Sequence, residues 1–491
     1  MRVQWLGLAV GTALLMAHIG TQDVVFDGAA GPYPVRVVVR PAGVVPGLAQ
    51  ISVRVLAGTP TSVRVQASPG RMGPGTAPKP EAMHRVPGEA GLYSGDLWLM
   101  TSGAYAVRID IAGSAGQGTL VLPVTSVATS RLGMSKPVGW GLAMFGLLLA
   151  AGALTIVRAA VRDAVVPVGA QPGDSDRRRG GIALATAAIV LLSVLLGGWR
   201  WWRSEDAAYA ATMDRPLKVT AEVATVDRRA TLTLTIVDSL GGVEDSSPLI
   251  PDHGKIMHLF LVRAGTLDAF AHLHPTRDKR SFTTVLPTLP AGRYRAYGDI
   301  VHESGLARTL TVEVNVPSGI EAAAPADPDD SWQVGPPLAP SPPAAGPLSS
   351  ALPGGGRMTW ERAGSLVAGP ELAIRVAVKD ARGAPALLQP YMGMGGHAIV
   401  VRDDGAVFVH LHPAGTISMG AQQRLEEVAR GASMRDTAGH SEMTHPESAS
   451  EAGIVKFPFA FPTPGRYRVF VQVRIAGVVQ TGAFDTMVMG R

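Results

Sequence analysis

The sequence predicts a mainly β protein in which β-sandwich domains are joined by a two-helix transmembrane hairpin. Three observations support this prediction. Short runs of alternating apolar and polar residues, separated by Gly- and Pro-rich turns, recur along the 491 residues. Two apolar stretches in the first half are each long enough to cross a bilayer. A histidine-containing segment occurs twice in the carboxy-terminal half, which indicates two related domains there.

The composition limits the classes of function. With 58 Gly, 38 Pro and 46% hydrophobic residues, the chain is typical of a β-rich globular protein. The net charge of +5 is spread along the chain without a basic stripe, so we expect no nucleic-acid partner. Cysteine is absent, which excludes disulfides and thiolate ligands. Any soft metal ligand must therefore be one of the 17 Met.

The amino-terminal region predicts a leader and then a first domain. Residues 1–20 place Arg2 before an apolar run, which indicates a signal peptide or an uncleaved anchor. Residues 24–128 contain alternating runs such as 35–39, 51–55 and 105–109, and these predict a β-sandwich.

Residues 138–157 and 181–198 carry no charged side chain and predict two transmembrane helices. The loop 158–180 contains five arginines, so the positive-inside rule places this loop in the cytoplasm. Both flanking regions would then lie on the periplasmic side of a bacterial inner membrane, with the lipid bilayer as a partner.

The repeat extends beyond its core of six residues. The segment 270–275, Phe-Ala-His-Leu-His-Pro, recurs as Phe-Val-His-Leu-His-Pro at 408–413, and an apolar run that starts with a histidine precedes each copy. A Gly-Arg-Tyr-Arg segment follows both copies. We therefore predict one β-sandwich at 206–316 and another at 357–491, joined by a semi-extended Pro/Ala-rich linker at 317–356.

The spacing of the histidines predicts that each copy gathers three imidazoles. Residues i and i+2 of a strand share a face, so each His-x-His pair presents two side chains together. Depending on the turn register, His397 lies opposite His410 or His412 on the neighbouring strand, roughly 5 Å away. Three such imidazoles can hold zinc or copper. The alternative is that these histidines only pack against the sheet and bind backbone groups.

The candidate metal ligands differ between the copies, so we expect two separate and unequal sites. They are His258, His272, His274 and His302 in copy one, and His397, His410, His412, Met394 and Met419 in copy two. An all-imidazole set favours Cu(II) or Zn(II), whereas thioethers beside imidazoles favour Cu(I).

Two resemblances add to this prediction. Residues 31–37, 72–73, 91–95 and 103–107 resemble the YtkA-like family, which is related to FixH-type periplasmic modules. That resemblance implies an Ig-like β-sandwich, often found beside copper handling. The pattern at 390–397, 410–413, 465–468 and 481–485 resembles a secreted metal-handling module with an Ig-like or cupredoxin-like sandwich. This second resemblance implies copper, which the spacing alone does not select over zinc.

Copy two also contains an insertion at 414–453. Residues 422–429 predict a short helix inside it. The segment 440–445, His-Ser-Glu-Met-Thr-His, resembles the His/Met tracts of periplasmic copper proteins, with a solvated loop as the alternative.

The leading hypothesis is a membrane-anchored periplasmic protein that binds copper for buffering, resistance or delivery to a membrane or periplasmic protein. The alternative is a metal-free interaction or assembly module of a membrane complex. We expect no enzymatic activity, because the sequence lacks a nucleophile elbow, a P-loop, a Rossmann fingerprint and a His-Glu-x-x-His motif.

Overall fold

The computed structural model describes residues 18–19, 23–70, 77–238, 248–321, 324–431 and 452–491, and the fold is mainly β. The chain divides into two compact units. One unit is helical and comprises residues 128–214, and the other comprises the sheets on either side of it in sequence. Apart from the short strand β1 (His18–Ile19), the predicted leader lies outside the described residues.

The amino-terminal sandwich follows the predicted alternation. Its strands are β2 (Val24–Ala30), β3 (Tyr33–Arg40), β4 (Gly47–Val55), β5 (Pro60–Pro69), β6 (Glu81–Ala82), β7 (His84–Arg85), β8 (Leu92–Leu99), β9 (Gly103–Gly113) and β10 (Gly116–Ser126). The sheets β2-β3-β4-β8-β7 and β10-β9-β5-β6 enclose one hydrophobic core. The alternation reflects burial of one face of each strand. On β3, for example, the alternate residues Val35, Val37 and Val39 are fully buried in that core.

The helical unit contains α1 (Lys136–Asp163) and α2 (Asp174–Thr212), both longer than the predicted spans. Their most apolar windows have mean hydropathies of 2.0 and 2.3, so both helices are long and apolar enough to span a membrane. Gly180 near the start of α2 lies against Arg162 at the end of α1. The two helices therefore form an antiparallel hairpin.

The first repeat forms two sheets around a single core, and it starts after α2, later than residue 206. Its strands are β11 (Lys218–Val226), β12 (Arg229–Asp238), β13 (Leu249–Ile250), β14 (His258–Arg263), β15 (Ala269–Leu273), β16 (Thr276–Asp278), β17 (Ser281–Val285), β18 (Gly292–His302) and β19 (Ala307–Val316). One sheet is β11-β12-β17-β16. The other has the order β13-β18-β14-β15, with β19 also paired to β18.

The Pro/Ala-rich linker, which we expect from the sequence to be semi-extended, contains two short strands. β20 (Ser331–Val334) pairs with β15 of the first repeat, and β21 (Leu348–Ala351) begins the second repeat. Edge pairing satisfies backbone groups that a Pro-rich segment could not satisfy alone.

The second repeat repeats this architecture. It continues with β22 (Arg357–Glu361), β23 (Leu366–Val367), β24 (Glu371–Lys379), β25 (Leu388–Gln389), β26 (His397–Arg402), β27 (Val407–Leu411), α3 (Met419–Ala429), β28 (Ile454–Ala460), β29 (Gly465–Ile475) and β30 (Val478–Met489). The sheet β21-β22-β24-β28 packs against the sheet β1-β27-β26-β29-β30-β23. The predicted short helix is confirmed as α3, whose N-cap Ser418 accepts a hydrogen bond from the amide of Ala421.

The two repeats pack against each other through the sheets that carry the histidines. Strands β14, β15, β26 and β27 are buried on both faces: one set of alternate side chains fills the core of its own sandwich, and the other set fills a separate cluster between the sandwiches. That cluster contains Phe260, Val262, Phe270, Ile399, Val401 and Phe408. The histidines share the parity of these residues, so they point into the interface.

The packing between repeats is reciprocal. The sequence repeat equates Phe270 with Phe408 and Tyr297 with Phe470. Phe270 stacks on Phe470 with ring centroids 4.4 Å apart, and Tyr297 stacks on Phe408 at 4.0 Å. Because each contact has its counterpart with the repeats exchanged, a local pseudo-twofold axis relates the two sandwiches.

Candidate metal centre

Seven histidines meet at one end of the interface between the repeats. They are His253, His258, His272 and His274 from the first repeat and His397, His410 and His412 from the second. Contacts cross the interface: the ring centroids of His258 and His410 are 5.3 Å apart, and those of His272 and His397 are 6.2 Å apart. The two predicted sets of histidines therefore lie side by side, since strands buried on both faces bring them together.

The hairpins place the third histidine of each copy as predicted. In β26 and β27 Ala398 pairs with Leu411, so the ladder continued by one residue puts His397 opposite His412. The ring centroids of this pair are 5.2 Å apart, and those of His258 and His274 are also 5.2 Å apart. The register with His397 opposite His412 is confirmed.

His253 is the member that sequence reasoning missed. It lies in a tight turn in which Asp252 and Lys255 exchange backbone hydrogen bonds of 2.9 Å, and its φ is 51°. The sequence carried a signal for it. Residues 251–258 align without a gap with residues 390–397, which equates His253 with Met392, and Met392 also has a φ of 51°.

The hydrogen bonds of His258 and His272 fix which ring nitrogens carry protons. Nε2 of His258 lies 3.1 Å from the carbonyl oxygen of Asp252, which can only accept, so Nε2–H donates. The side chain of Gln472 donates through Nε2 to Ser331, so its Oε1 accepts the Nδ1–H of His272 at 2.9 Å. In neutral rings, the remaining nitrogens carry no proton and each presents a lone pair. These two atoms, His258 Nδ1 and His272 Nε2, are 3.1 Å apart and face each other.

Three other histidines are oriented in the same way. Nδ1 of His412 donates to the carbonyl of Ile417 at 2.8 Å, and Nδ1 of His274 donates to Asp330 at 3.0 Å. Nδ1 of His410 lies 3.3 Å from a carboxylate oxygen of Asp299. Metal-binding histidines almost always use one nitrogen in this manner, which orients the other toward the ion.

The inward nitrogens lack hydrogen-bond partners among the described residues. This applies to Nε2 of His274, His410 and His412 and to both ring nitrogens of the fully buried His397. Each unpaired buried polar group costs roughly 1–3 kcal/mol. A cation that accepts these lone pairs removes the cost of several groups at once.

Burial keeps the imidazoles in the form that binds metal. It lowers the pKa of His258, His272, His397 and His410 well below the ordinary value, and it lowers the pKa of His412 to about 4. The rings are therefore neutral near pH 7, as ligation requires.

Two carboxylates border the centre, the buried Asp252 and the partly buried Asp299. Asp252 accepts a hydrogen bond of 2.8 Å from the amide of Gly420 in the first turn of α3. Burial acts to raise the pKa of Asp252, but the neighbouring imidazoles and the Gly420 amide outweigh it and leave this pKa below its ordinary value. Burial raises the pKa of Asp299 to about 7, against a hydrogen bond from Thr309. A cation among the histidines would balance these carboxylates.

A third ligand-like group, His274 with Asp327 and Asp330, has a different explanation. Lys255 Nζ binds both oxygens of Asp327 at 2.6 and 2.7 Å, and Asp330 already accepts hydrogen bonds from the backbone and ring of His274. The lysine supplies the cation at these carboxylates, so this group serves to hold His274.

The remaining predicted ligands lie elsewhere. His302 is on β18, and its parity places it on the opposite face from Asp299, toward the interior of its own sandwich. Met419 is buried in the core of the amino-terminal sandwich, and Met394 packs against that core, so both act there as apolar side chains. The tract at 440–445 lies outside the described residues.

Fold and site together define a class of protein: two β-sandwich repeats that face each other across a shared histidine centre. The chain belongs to the family described as "Domain of unknown function (DUF8832)", whose model matches residues 211–318 and 352–490, just over half of the chain. The two matched segments contain all seven histidines and the strands of both repeats apart from β21.

The similarity to solved structures is weak. No curated protein matches the chain. Among solved structures, latent PorU from Porphyromonas gingivalis is 9% identical with a TM-score of 0.14, and the match covers 92% of this chain and 33% of that one. A four-domain ectodomain fragment of ICAM-5 is 9% identical with a TM-score of 0.15, covering 93% of this chain and 83% of that one. The chain thus spans about a third of the PorU structure.

Proposed function

We propose that this protein is a membrane-anchored, extracytoplasmic metal-binding protein that holds copper between its two repeats, with zinc as the alternative metal. The observation that carries the proposal is the pair of lone pairs on His258 Nδ1 and His272 Nε2, which face each other at 3.1 Å in a buried site. Neutral nitrogens at this distance repel unless a proton or a cation lies between them. Metal–nitrogen bonds of about 2 Å allow one ion to bind both.

The chemistry of the donors supports a transition metal. Imidazole nitrogen suits copper and zinc, whereas calcium and magnesium prefer oxygen ligands. The resemblance of the chain to YtkA-like and His-Leu-His-Pro modules supports copper over zinc, and it also supports an Ig-like or cupredoxin-like type for the sandwiches.

Burial supports a storage or delivery role over catalysis. The side chains of His258, His272 and His397 are at most 1% exposed, so a substrate larger than an ion has no direct path to them in this conformation. The helices α1 and α2 serve as the proposed anchor. The five arginines of residues 158–180 lie at the facing ends of these helices, and they support a cytoplasmic connection with both flanking regions in the periplasm.

The test is metal analysis of the full-length protein after dialysis. Wild-type protein loaded with copper should retain it, and the double variant His258→Ala/His272→Ala should lose most of it. The variant His84→Ala is the matched control, because His84 is exposed and lies on β7 of the amino-terminal sandwich. If the wild type retains no copper or zinc, or if the double variant retains as much as wild type, the alternative of a metal-free interaction module replaces the proposal.

A further inference from the structure

We infer that the centre holds two metal ions with unequal donor sets, and that Met392 supplies a thioether to one of them. This inference rests on the proposed metal binding and adds the number of ions and a ligand. Two groups of three histidines each have ligand atoms within 4.8 Å of one another: His258, His272 and His274 form one, and His253, His397 and His412 form the other. Zinc and copper sites use about four protein ligands, so seven imidazoles exceed the capacity of one ion.

One of these groups contains a donor that crosses the interface. His253 belongs to the first repeat, yet its ring centroid lies 4.9 Å from that of His412 and 5.6 Å from that of His397. His410 lies beside the same pair, 4.5 Å from His412. The first repeat thus supplies the fourth imidazole of the second repeat's set.

The pseudo-twofold axis also governs the hydrogen bonds around the metal centre. Gln472 of the second repeat binds Nδ1 of His272 in the first at 2.9 Å. Its equivalent in the first repeat is Asp299, which lies 3.3 Å from Nδ1 of His410 in the second. The pseudo-twofold relation between the repeats therefore extends to individual side-chain contacts.

The same operation assigns a role to Met392. Because His253 is equivalent to Met392, and His412 and His397 are equivalent to His274 and His258, the contacts of His253 predict that Met392 faces His274 and His258. Met392 is 8% exposed although it occupies a tight turn, so its side chain is directed inward. One ion would then have three imidazoles and a thioether, and the other would have four imidazoles.

The backbone conformation of the turn also supports a functional reason for Met392. His253-Gly254 and Met392-Gly393 all have positive φ, between 51° and 77°, as in the two-residue turns that favour Asn-Gly. A residue with a side chain at such a φ costs about 1–2 kcal/mol unless it is Asn or Asp. Met is not among the residues that favour this conformation, so a role as a metal ligand gives a reason for Met392 at this position.

Unequal donors give the two ions different chemistry. The set with Met392 favours Cu(I), and the four-imidazole set favours Cu(II) or Zn(II). This assignment reverses the expectation for the separate copies, because the thioether of copy two serves the histidines of copy one.

The test uses the full-length protein loaded with Cu(I) under reducing conditions. Competition against a Cu(I)-specific chelator should give two ions per chain, and X-ray absorption should show a sulfur shell, which only methionine can supply in a chain without cysteine. Met392→Leu should remove that sulfur shell and lower the affinity for one of the two ions by about tenfold or more. The matched control Met394→Leu, in the same loop, should leave the affinity for both ions and the sulfur shell unchanged.

The number of ions, the presence of sulfur and the assignment to Met392 are tested by different results. A single ion per chain overturns the two-ion inference and leaves the proposed function standing, whereas no bound metal defeats both. A wild-type spectrum without sulfur overturns the role of methionine without any variant. A sulfur shell that persists in folded Met392→Leu overturns the assignment to Met392.

Discussion

At the scale of the residue, the centre depends on which nitrogen of each imidazole is occupied. Asp252, Gln472, Ile417 and Asp330 each bind one nitrogen of a different histidine. The other nitrogen of each ring is thereby left for an ion. The protein thus fixes the tautomers before any metal arrives, which is the arrangement that metal sites use to orient their ligands.

Replacing His253 by Asn should separate stability from metal binding. Asn suits the positive φ of 51° better than His does, so the metal-free variant should be as stable as wild type or more stable by up to about 1 kcal/mol. Its metal affinity should fall about tenfold or more, because one imidazole is lost. Urea unfolding and chelator competition measure the two quantities, with His84→Asn as control. An unchanged affinity would remove His253 from the centre.

The metal-free protein should lose stability as the pH falls. The folded state keeps its buried imidazoles neutral down to a pKa of about 4 for His412, whereas the unfolded chain binds protons below about 6.5. The unfolded state therefore binds more protons between these values, and the free energy of unfolding must decrease as the pH drops from about 6.5 toward 4. Urea unfolding of the metal-free protein at several pH values checks this. A free energy that stays constant or increases on acidification would contradict the neutral buried rings.

At the scale of the element, strand periodicity explains both what the sequence predicted and what it missed. The His-x-His pair and the preceding apolar strand were sufficient to place three imidazoles of each copy on one face. Phe270 shares that face with His272, and an apolar face on both sides of a strand indicates burial against a further layer. That pattern therefore predicted that the second face of these strands is covered, but it did not indicate that the covering sheet belongs to the other repeat.

Two histidines show the limits of spacing. His302 follows Asp299 by three residues on β18, and an odd separation along a strand puts the two side chains on opposite faces. His253 lies in a turn, where no strand period applies, and only the gap-free alignment with the second repeat indicates its position. The contact between His253 and His412 crosses the interface between the repeats. It therefore depends on how the two sandwiches dock, which no local sequence pattern specifies.

The helical hairpin allows a direct test of the proposed topology. A reporter that is active only after export should be active when fused after Val316 and inactive when fused after Gly173, in the short connection between α1 and α2, whose facing ends carry the five arginines of residues 158–180. Reporter activity in the opposite pattern would place the repeats in the cytoplasm and contradict the periplasmic proposal.

At the scale of the whole molecule, the metal centre depends on how the two repeats dock. Phe470 stacks on Phe270 across the interface, whereas Phe459 lies within the core of the second repeat. Phe470→Leu and Phe459→Leu should each cost about 1 to 2 kcal/mol of stability. Only Phe470→Leu should also weaken metal binding, because it alters the packing that aligns the two sets of histidines. Equal effects on metal affinity would mean that docking and binding are independent.

The central claim is that histidines of both repeats bind metal in one shared centre. Anomalous diffraction at the copper absorption edge from crystals of the copper-loaded protein tests it most directly. We predict density within about 2 Å of ring nitrogens from both repeats, including His272 and His397. Density bound by the histidines of one repeat alone, or no density between the repeats, would contradict the claim.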